Sequence, residues 1–324
     1  MNKHKTSIDT PERRIPGISL LLTYRCTSEC SHCFASSSTS KDDPMTLSEV
    51  QEYLEEAKKV GAKSVWFFGG EPFFYFDLLL GGIEYAKQLG LVPTTTSNAF
   101  WATSEDLASK RMWLLKEKGL ERISFSADPF HWEYVPLEYL HNAVQAAEKL
   151  GIGGELWNCY FAEKEGDEVL RLSREITTRL LPHEVSVGHV MFQGTAAEVL
   201  ADHAPKQPWT RYNKCRSESF QLRSLGFLSI DPYGYVQPCS GISIDNAKER
   251  KLSEIIKAYD PQAHPILKAL LEEGPVGLAK MAMSYGFKPT EYADDCHLCY
   301  EARKLLLEHY PKYLAPAIWY RRVK

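Results

Sequence analysis

Three cysteines, Cys26, Cys30 and Cys33, stand at offsets of four and three in the run Cys-Thr-Ser-Glu-Cys-Ser-His-Cys, just after the apolar run 18–22. Three thiolates so close in sequence oblige the chain to wrap one loop around a metal centre at the end of a strand. They also leave that centre one ligand short. An iron-sulfur cube takes one thiolate per iron, so a cube on this triplet keeps one iron open to a small molecule. Zinc is the competing occupant, with His32 as a fourth ligand.

A second strand-like run, 65–68, ends in Gly69-Gly70-Glu71-Pro72. Glycines at that point let backbone approach a ligand that a β-carbon would exclude; a tight strand-to-helix turn is the plainer alternative. Strand-like runs recur at 18–24, 64–68, 92–97, 122–127, 155–161 and 184–192, with helical periodicity at 46–60, 78–89, 104–118, 137–150 and 167–181. Thr46 and Glu49 form a capping-box pair, and Gly61, Gly90, Gly119 and Gly151 close helices. Leu47, Val50, Leu54 and Ala57 are expected to face the sheet. Alternating units of this kind suit an α/β fold, a partial (β/α)6 TIM-like barrel with its strand C-termini at one rim. Rim loops carry reactive groups in barrels, which singles out Ser97-Asn98, Ser126, Asp128 and Asn158. His131 in Ser-Ala-Asp-Pro-Phe-His is a candidate acid or base, set against a hydrogen-bonded structural histidine.

The chain has 324 residues, 44% hydrophobic and 25% charged, which is ordinary for a soluble globular protein. Its first residues lack the apolar stretch of a signal peptide, and no run approaches transmembrane length, so a cytoplasmic protein without membrane attachment is expected. Eight cysteines in such a chain read as reduced and available to metals. A net charge of −4 argues against extended nucleic-acid contact, and the tail residues Arg321, Arg322 and Lys324 are too few to reverse it.

After residue 192 the alternation breaks. The stretch 193–213 reads as a junction, followed by a hairpin at 227–230 and 235–237 with Cys215 before it and Cys239 after it; Cys296-x-x-Cys299 comes late. These four cysteines alone suggest a structural zinc site as readily as a second cluster.

Together the cysteine triplet and Gly69-Gly70-Glu71 resemble the radical S-adenosylmethionine (SAM) superfamily, marked by Cys-x-x-x-Cys-x-aromatic-Cys after the first strand and Gly-Gly-Glu after the second. The resemblance implies that SAM binds the open iron and is cleaved reductively to methionine and a 5′-deoxyadenosyl radical. It places His32 beside adenine, Gly69, Gly70 and Glu71 at the methionine end, and Asn98 and Ser126 among the SAM contacts. Gly234 to Cys239 with the late pair resembles the shortened SPASM module called a twitch domain. Cys215, Cys239, Cys296 and Cys299 would then hold an auxiliary cluster, making two four-iron (4Fe-4S) clusters in all. The implied organisation is an extension 1–17, a barrel 18–192, a linker 193–213 and an auxiliary-cluster domain with C-terminal helix 214–324.

Within that superfamily the chain resembles epimerases acting on ribosomally made peptides, through Cys33-Phe-Ala-Ser-Ser-Ser, Ser97-Asn-Ala-Phe-Trp101, Asp128 with His131, the Gly234 to Cys239 turn and Cys296-x-x-Cys299. Those epimerases place a hydrogen-donating cysteine directly after an auxiliary-cluster cysteine, where this chain has Ser240. A serine O–H bond is too strong to quench a carbon radical readily. Cys159 is the spare thiol, either a hydrogen donor or a core residue. Without such a donor, net oxidation or cross-linking with the auxiliary cluster as electron acceptor fits better. The resemblance thus implies peptide oxidation, cross-linking or epimerisation, with a flavodoxin- or ferredoxin-like electron donor; small-molecule dehydrogenation or epimerisation of a sugar or aminocyclitol, and a non-catalytic zinc or iron-sulfur protein, stand as alternatives. The residues before 18 are too few for a leader-binding domain, so a peptide is expected to bind the barrel mouth or a carrier. The aromatic tail 310–320 is either a docking surface or packing against the barrel.

Overall fold

The computed structural model describes residues 14–160, 185–216 and 222–320. The expected helix 167–181, the tail residues Arg321, Arg322 and Lys324, and most of the extension 1–17 lie outside them.

Six parallel strands follow one another in order: β1 (Gly17–Leu21), β2 (Ser64–Phe68), β3 (Val92–Ser97), β4 (Arg122–Ser126), β5 (Gly153–Tyr160) and β6 (Val185–His189). The helices α1 (Leu47–Lys59), α2 (Phe76–Gln88), α3 (Glu105–Glu117), the single turn α4 (Pro129–Trp132) and α5 (Leu137–Lys149) connect the first five. Parallel neighbours in sequence order bring every strand C-terminus to one rim. β1 is buried along its whole length, with Ile18, Leu20 and Leu21 at the centre of the core. No helix of the described residues is long and apolar enough to cross a membrane.

Local chemistry sets the helix ends as the sequence indicates. Thr46 accepts from the Glu49 backbone while the Glu49 carboxylate accepts from the Thr46 backbone, closing the capping box. Gly61, Gly90, Gly119 and Gly151 follow the helices with positive φ. Val50, Leu54 and Ala57 are buried as expected, but Leu47 is 40% exposed. It sits at the first helical position, beyond the sheet, and reaches over Gly81 of α2 instead.

The hairpin β8 (Leu228–Ile230) and β9 (Tyr235–Gln237) does not stand apart. β8 pairs parallel with β1, β9 pairs antiparallel with β8, and β10 (Asp245–Asn246) pairs antiparallel with β9, giving nine strands in one sheet among the described residues. At its turn the buried Asp231 carboxylate accepts from the backbone N–H of Tyr233 and Tyr235, from Gln237 and from the Tyr24 hydroxyl at 2.9 Å, so the cysteine loop after β1 is tied to the hairpin. The stretch 193–213 is more than a linker. Ala196, Ala197, Leu200 and Ala201 are buried around the helix Thr195–Val199, and β7 (Gln207–Pro208) pairs with β11 (Glu291–Tyr292). Small apolar side chains there have a core to join, which overrides their turn propensity.

Candidate functional site

The loop after β1 folds back on itself. Cys26 N–H donates to the Ser38 carbonyl and Cys33 N–H to the Cys30 carbonyl, while Ser28 and Ser37 N–H groups point at the sulfurs of Cys26 and Cys33 at 3.4 and 3.5 Å. Donors aimed at sulfur favour the thiolate; burial works the other way and pushes the Cys26 and Cys33 thiols up.

The glycines after β2 serve that loop directly. Gly70 N–H donates to the Thr23 carbonyl at 2.7 Å and Glu71 N–H to the Arg25 carbonyl at 2.8 Å. A β-carbon on Gly70 would overlap the Arg25 carbonyl, and one on Gly69, at φ +157, would sit 2.6 Å from the Thr23 carbonyl. The close approach at these glycines is to the cysteine loop's own backbone. Glu71 is likewise engaged: its carboxylate accepts from Ser97 Oγ at 3.0 Å, Asn98 N–H at 2.7 Å and Phe73 N–H at 3.1 Å. Burial pushes it up to about 7 even so.

Asn98 follows β3 and donates to Thr27 Oγ1 and Ser28 Oγ at 3.0 and 3.2 Å, bracing the loop between Cys26 and Cys30. Ser126 ends β4 on the same cavity wall. Asn158 is buried and donates to the Ala127 carbonyl, joining β5 to β4, and does not line the cavity. Asp128 caps α4 and binds His131 Nδ1 at 2.9 Å. Burial opposes both charges, yet each holds the other: Asp128 lies below the usual carboxylate range and His131 well above the usual imidazole range, with Cys30 adding to the latter. His32 stacks on Phe130 at 4.6 Å and lies 3.7 Å from Asp128, and burial pushes it down to about 4. Cys159 brings its sulfur within 4.8 Å of ligand atoms of His32 and Asp128, and burial pushes its thiol up to about 11.

Of the site residues expected at this rim from the sequence, all except Asn158 line one cavity of about 210 Å³, together with Trp66, Trp157, His189 and Met191. Those four were missed in the sequence; alternation along β2 and β5 was the available signal for Trp66 and Trp157.

A second cavity, of about 190 Å³, is lined by Cys215, Cys239, Cys296 and Cys299, and shares Met191 with the first. Arg216 pairs with Asp294 and Asp295 at the mouth. The aromatic tail closes the region from behind: Trp319 and Tyr320 are buried, Trp319 stacking on Phe34 at 5.7 Å and Tyr320 on Tyr300 at 5.8 Å, so this end of the tail is packing.

Residues 20–150 match the family model of the radical SAM superfamily, and the chain carries a radical SAM domain in that segment. It is 24% identical over 163 residues to the putative peptide biosynthesis protein YydG of Bacillus subtilis (strain 168), covering 47% of this chain and 51% of that protein. It is 24% identical over 188 residues to a GTP 3′,8-cyclase of Listeria monocytogenes, covering 53% and 55%. The chain spans about half the length of these curated relatives. Among solved structures it is similar in fold to native anSMEcpe with bound AdoMet, at TM-score 0.54 and 10% identity over 90% of this chain and 97% of that one. It is similar also to anSMEcpe with bound AdoMet and Cp18Cys peptide, at TM-score 0.51 and 12% identity over 91% and 97%.

A radical SAM domain implies a four-iron cluster and SAM. The residues fit that pair: beside the three cysteines, the buried His32 Nδ1 and Ser37 Oγ have no hydrogen-bond partner among the described residues, and both line the cavity. Buried polar atoms left unpaired in this way call for a polar ligand.

Proposed function

We propose that the chain modifies a ribosomally made peptide by taking a hydrogen atom from a peptide carbon, with a second four-iron cluster on Cys215, Cys239, Cys296 and Cys299 as electron acceptor. The observation that carries this reading is the shared wall: Met191 borders both cysteine-lined cavities, so a substrate at the first lies next to the second.

When bound, SAM on a reduced cluster supplies the hydrogen-abstracting radical. One electron enters from a flavodoxin- or ferredoxin-like donor, and the substrate radical gives up one proton and one electron as it becomes oxidised product, so the count closes. Cys26, Cys30 and Cys33 hold the cluster. His32, kept neutral, offers Nδ1 to a polar group such as adenine. Ser126 and the backbone around Gly69 and Gly70 border the SAM side, with Glu71 and Asn98 holding the loops in place. The Asp128–His131 ion pair orients the polar part of the substrate.

Two features bear on the substrate. No lysine or arginine lines the reaction cavity among the described residues, so a triphosphate of the kind named for the cyclase relative lacks its counter-charge there. The relative named for peptide biosynthesis, and the anSMEcpe structure with a bound peptide, favour a peptide. Oxygen-free reconstitution tests the proposal: about eight irons per chain and release of 5′-deoxyadenosine under reduction are expected. Zinc without SAM cleavage overturns it.

Cys159 supports a second outcome, epimerisation, because its sulfur faces the same cavity. Solvent deuterium in the product, lost in Cys159→Ala, identifies it as the hydrogen donor; deuterium-free oxidised product in both proteins rejects that role.

A further inference from the structure

Arg303 is 1% exposed, one of the largest fully buried side chains among the described residues. Its guanidinium donates to four oxygens: Ser240 carbonyl at 2.6 Å, Tyr320 Oη at 3.0 Å, Gln193 Oε1 at 3.2 Å and Cys299 carbonyl at 3.3 Å. Every one of these acceptors is neutral. Among the described residues no carboxylate forms an ion pair with Arg303; the nearby Asp294 and Asp295 are taken by Arg216. A guanidinium buried among neutral acceptors alone leaves its charge uncompensated, which proteins rarely tolerate. What the guanidinium does line is the second cysteine cavity, with Cys215, Cys239, Cys296 and Cys299. Thiolates around a metal would supply the missing anion.

We propose that Arg303 is the charge partner of the metal-thiolate centre in that cavity and raises its reduction potential, so that it accepts the electron released by the substrate radical. The inference rests on the auxiliary cluster proposed above. A fixed positive charge favours the more negative, reduced form of a neighbouring centre, and charge and hydrogen bonding near the sulfurs are among the levers that set cluster potentials. The step is a one-electron transfer in which the centre is reduced and no bond to it forms or breaks; the proton leaves with the substrate's oxidation. Arg303 is thus a positioning residue for charge, and touches no substrate.

The test uses the full chain with Cys26, Cys30 and Cys33 replaced by alanine, so that only the auxiliary site can load. Arg303→Gln and Arg303→Lys are compared with that background for iron content and for midpoint potential, by electron paramagnetic resonance during redox titration. The expected result is about four irons per background chain, and a fall in potential for Arg303→Gln equal to at least a tenfold loss in the reduction equilibrium, about 59 mV for one electron. Arg303→Lys should recover most of it. If Arg303→Gln sheds its iron while Arg303→Lys keeps it at the background potential, the charge-partner role is likewise upheld. Iron retained at an unchanged potential in Arg303→Gln overturns the proposal, and so does loss of iron from both variants, which would mark a geometric role. A background chain that binds zinc or no metal instead sinks the auxiliary cluster itself, and the role of Arg303 with it.

Discussion

The two cysteine-lined cavities meet at Met191 and differ in the charge built around them. Beside the amino-terminal one Glu71 lies near Cys26, and the Asp128–His131 ion pair beside Cys30 is neutral overall. The carboxy-terminal one has Arg303 buried against it with no carboxylate partner among the described residues, while Arg216 is taken by Asp294 and Asp295. Positive charge favours the reduced state of a cluster, so with the proposed clusters in place the unpaired Arg303 suits the second to the role of acceptor. The proposed ligand sets point the same way, three thiolates leaving an iron open and four leaving none.

The sharpest way to break this comparison is to disable one side at a time. Cys30→Ala is expected to cut 5′-deoxyadenosine release by on the order of a hundredfold or more, measured by chromatography under reduction. Cys239→Ala should leave that release within about threefold of the parent while oxidised product disappears, because only the acceptor is lost. Equal losses of both readouts in the two variants would mean that the cavities do not divide the work.

A smaller effect tests how the amino-terminal loop is held. Gly70→Ala places a β-carbon against the Arg25 carbonyl, a rigid backbone atom that cannot rotate away. A loss of about 3 kcal/mol in urea denaturation of the metal-free chain is expected, with reduced iron uptake. Unchanged stability would show that the β2 turn can retreat from the loop.

The smallest effect concerns the tie between the two regions, Tyr24 with Asp231. Burial pushes the Asp231 carboxyl up to about 7. A carboxyl raised in the folded state stabilises fully below its unfolded pKa, about 4, and that contribution is lost as pH rises through about 7. The metal-free chain should therefore lose up to about 1.4 kcal/mol per pH unit from this group between pH 4 and 7. Asp231→Asn should flatten that part of the profile in denaturant titrations at pH 5, 6 and 7; parallel profiles would remove Asp231 as the titrating tie.

Much of this was legible in the chain because local rules carry it. The capping box at Thr46 and Glu49 and the glycines after four helices need only neighbours in sequence, and the strands β1 to β5 show in their apolar, β-branched content. The spacing of Cys26, Cys30 and Cys33 with Gly69-Gly70-Glu71 marked the site before any coordinates. Other features depend on partners far away in sequence. The purpose of Gly69 and Gly70 is visible only once residues 23–25 lie against them, and the burial of Ala196 and Ala197 only once a core exists to receive them. Arg303 had one faint signal, its place four residues after Cys299 on a helix, which puts both on one face.

The sequence by itself determined the candidate ligands, which thiols exist and how they are spaced, and the strand-helix alternation that brings Cys26, Cys30 and Cys33 to the rim, because spacing and periodicity are local properties. Only the tertiary structure decided their surroundings. Whether a buried arginine or a buried carboxylate stands beside a given sulfur follows from how β8 joins β1 and how the tail folds back, and burial is what makes those charges matter.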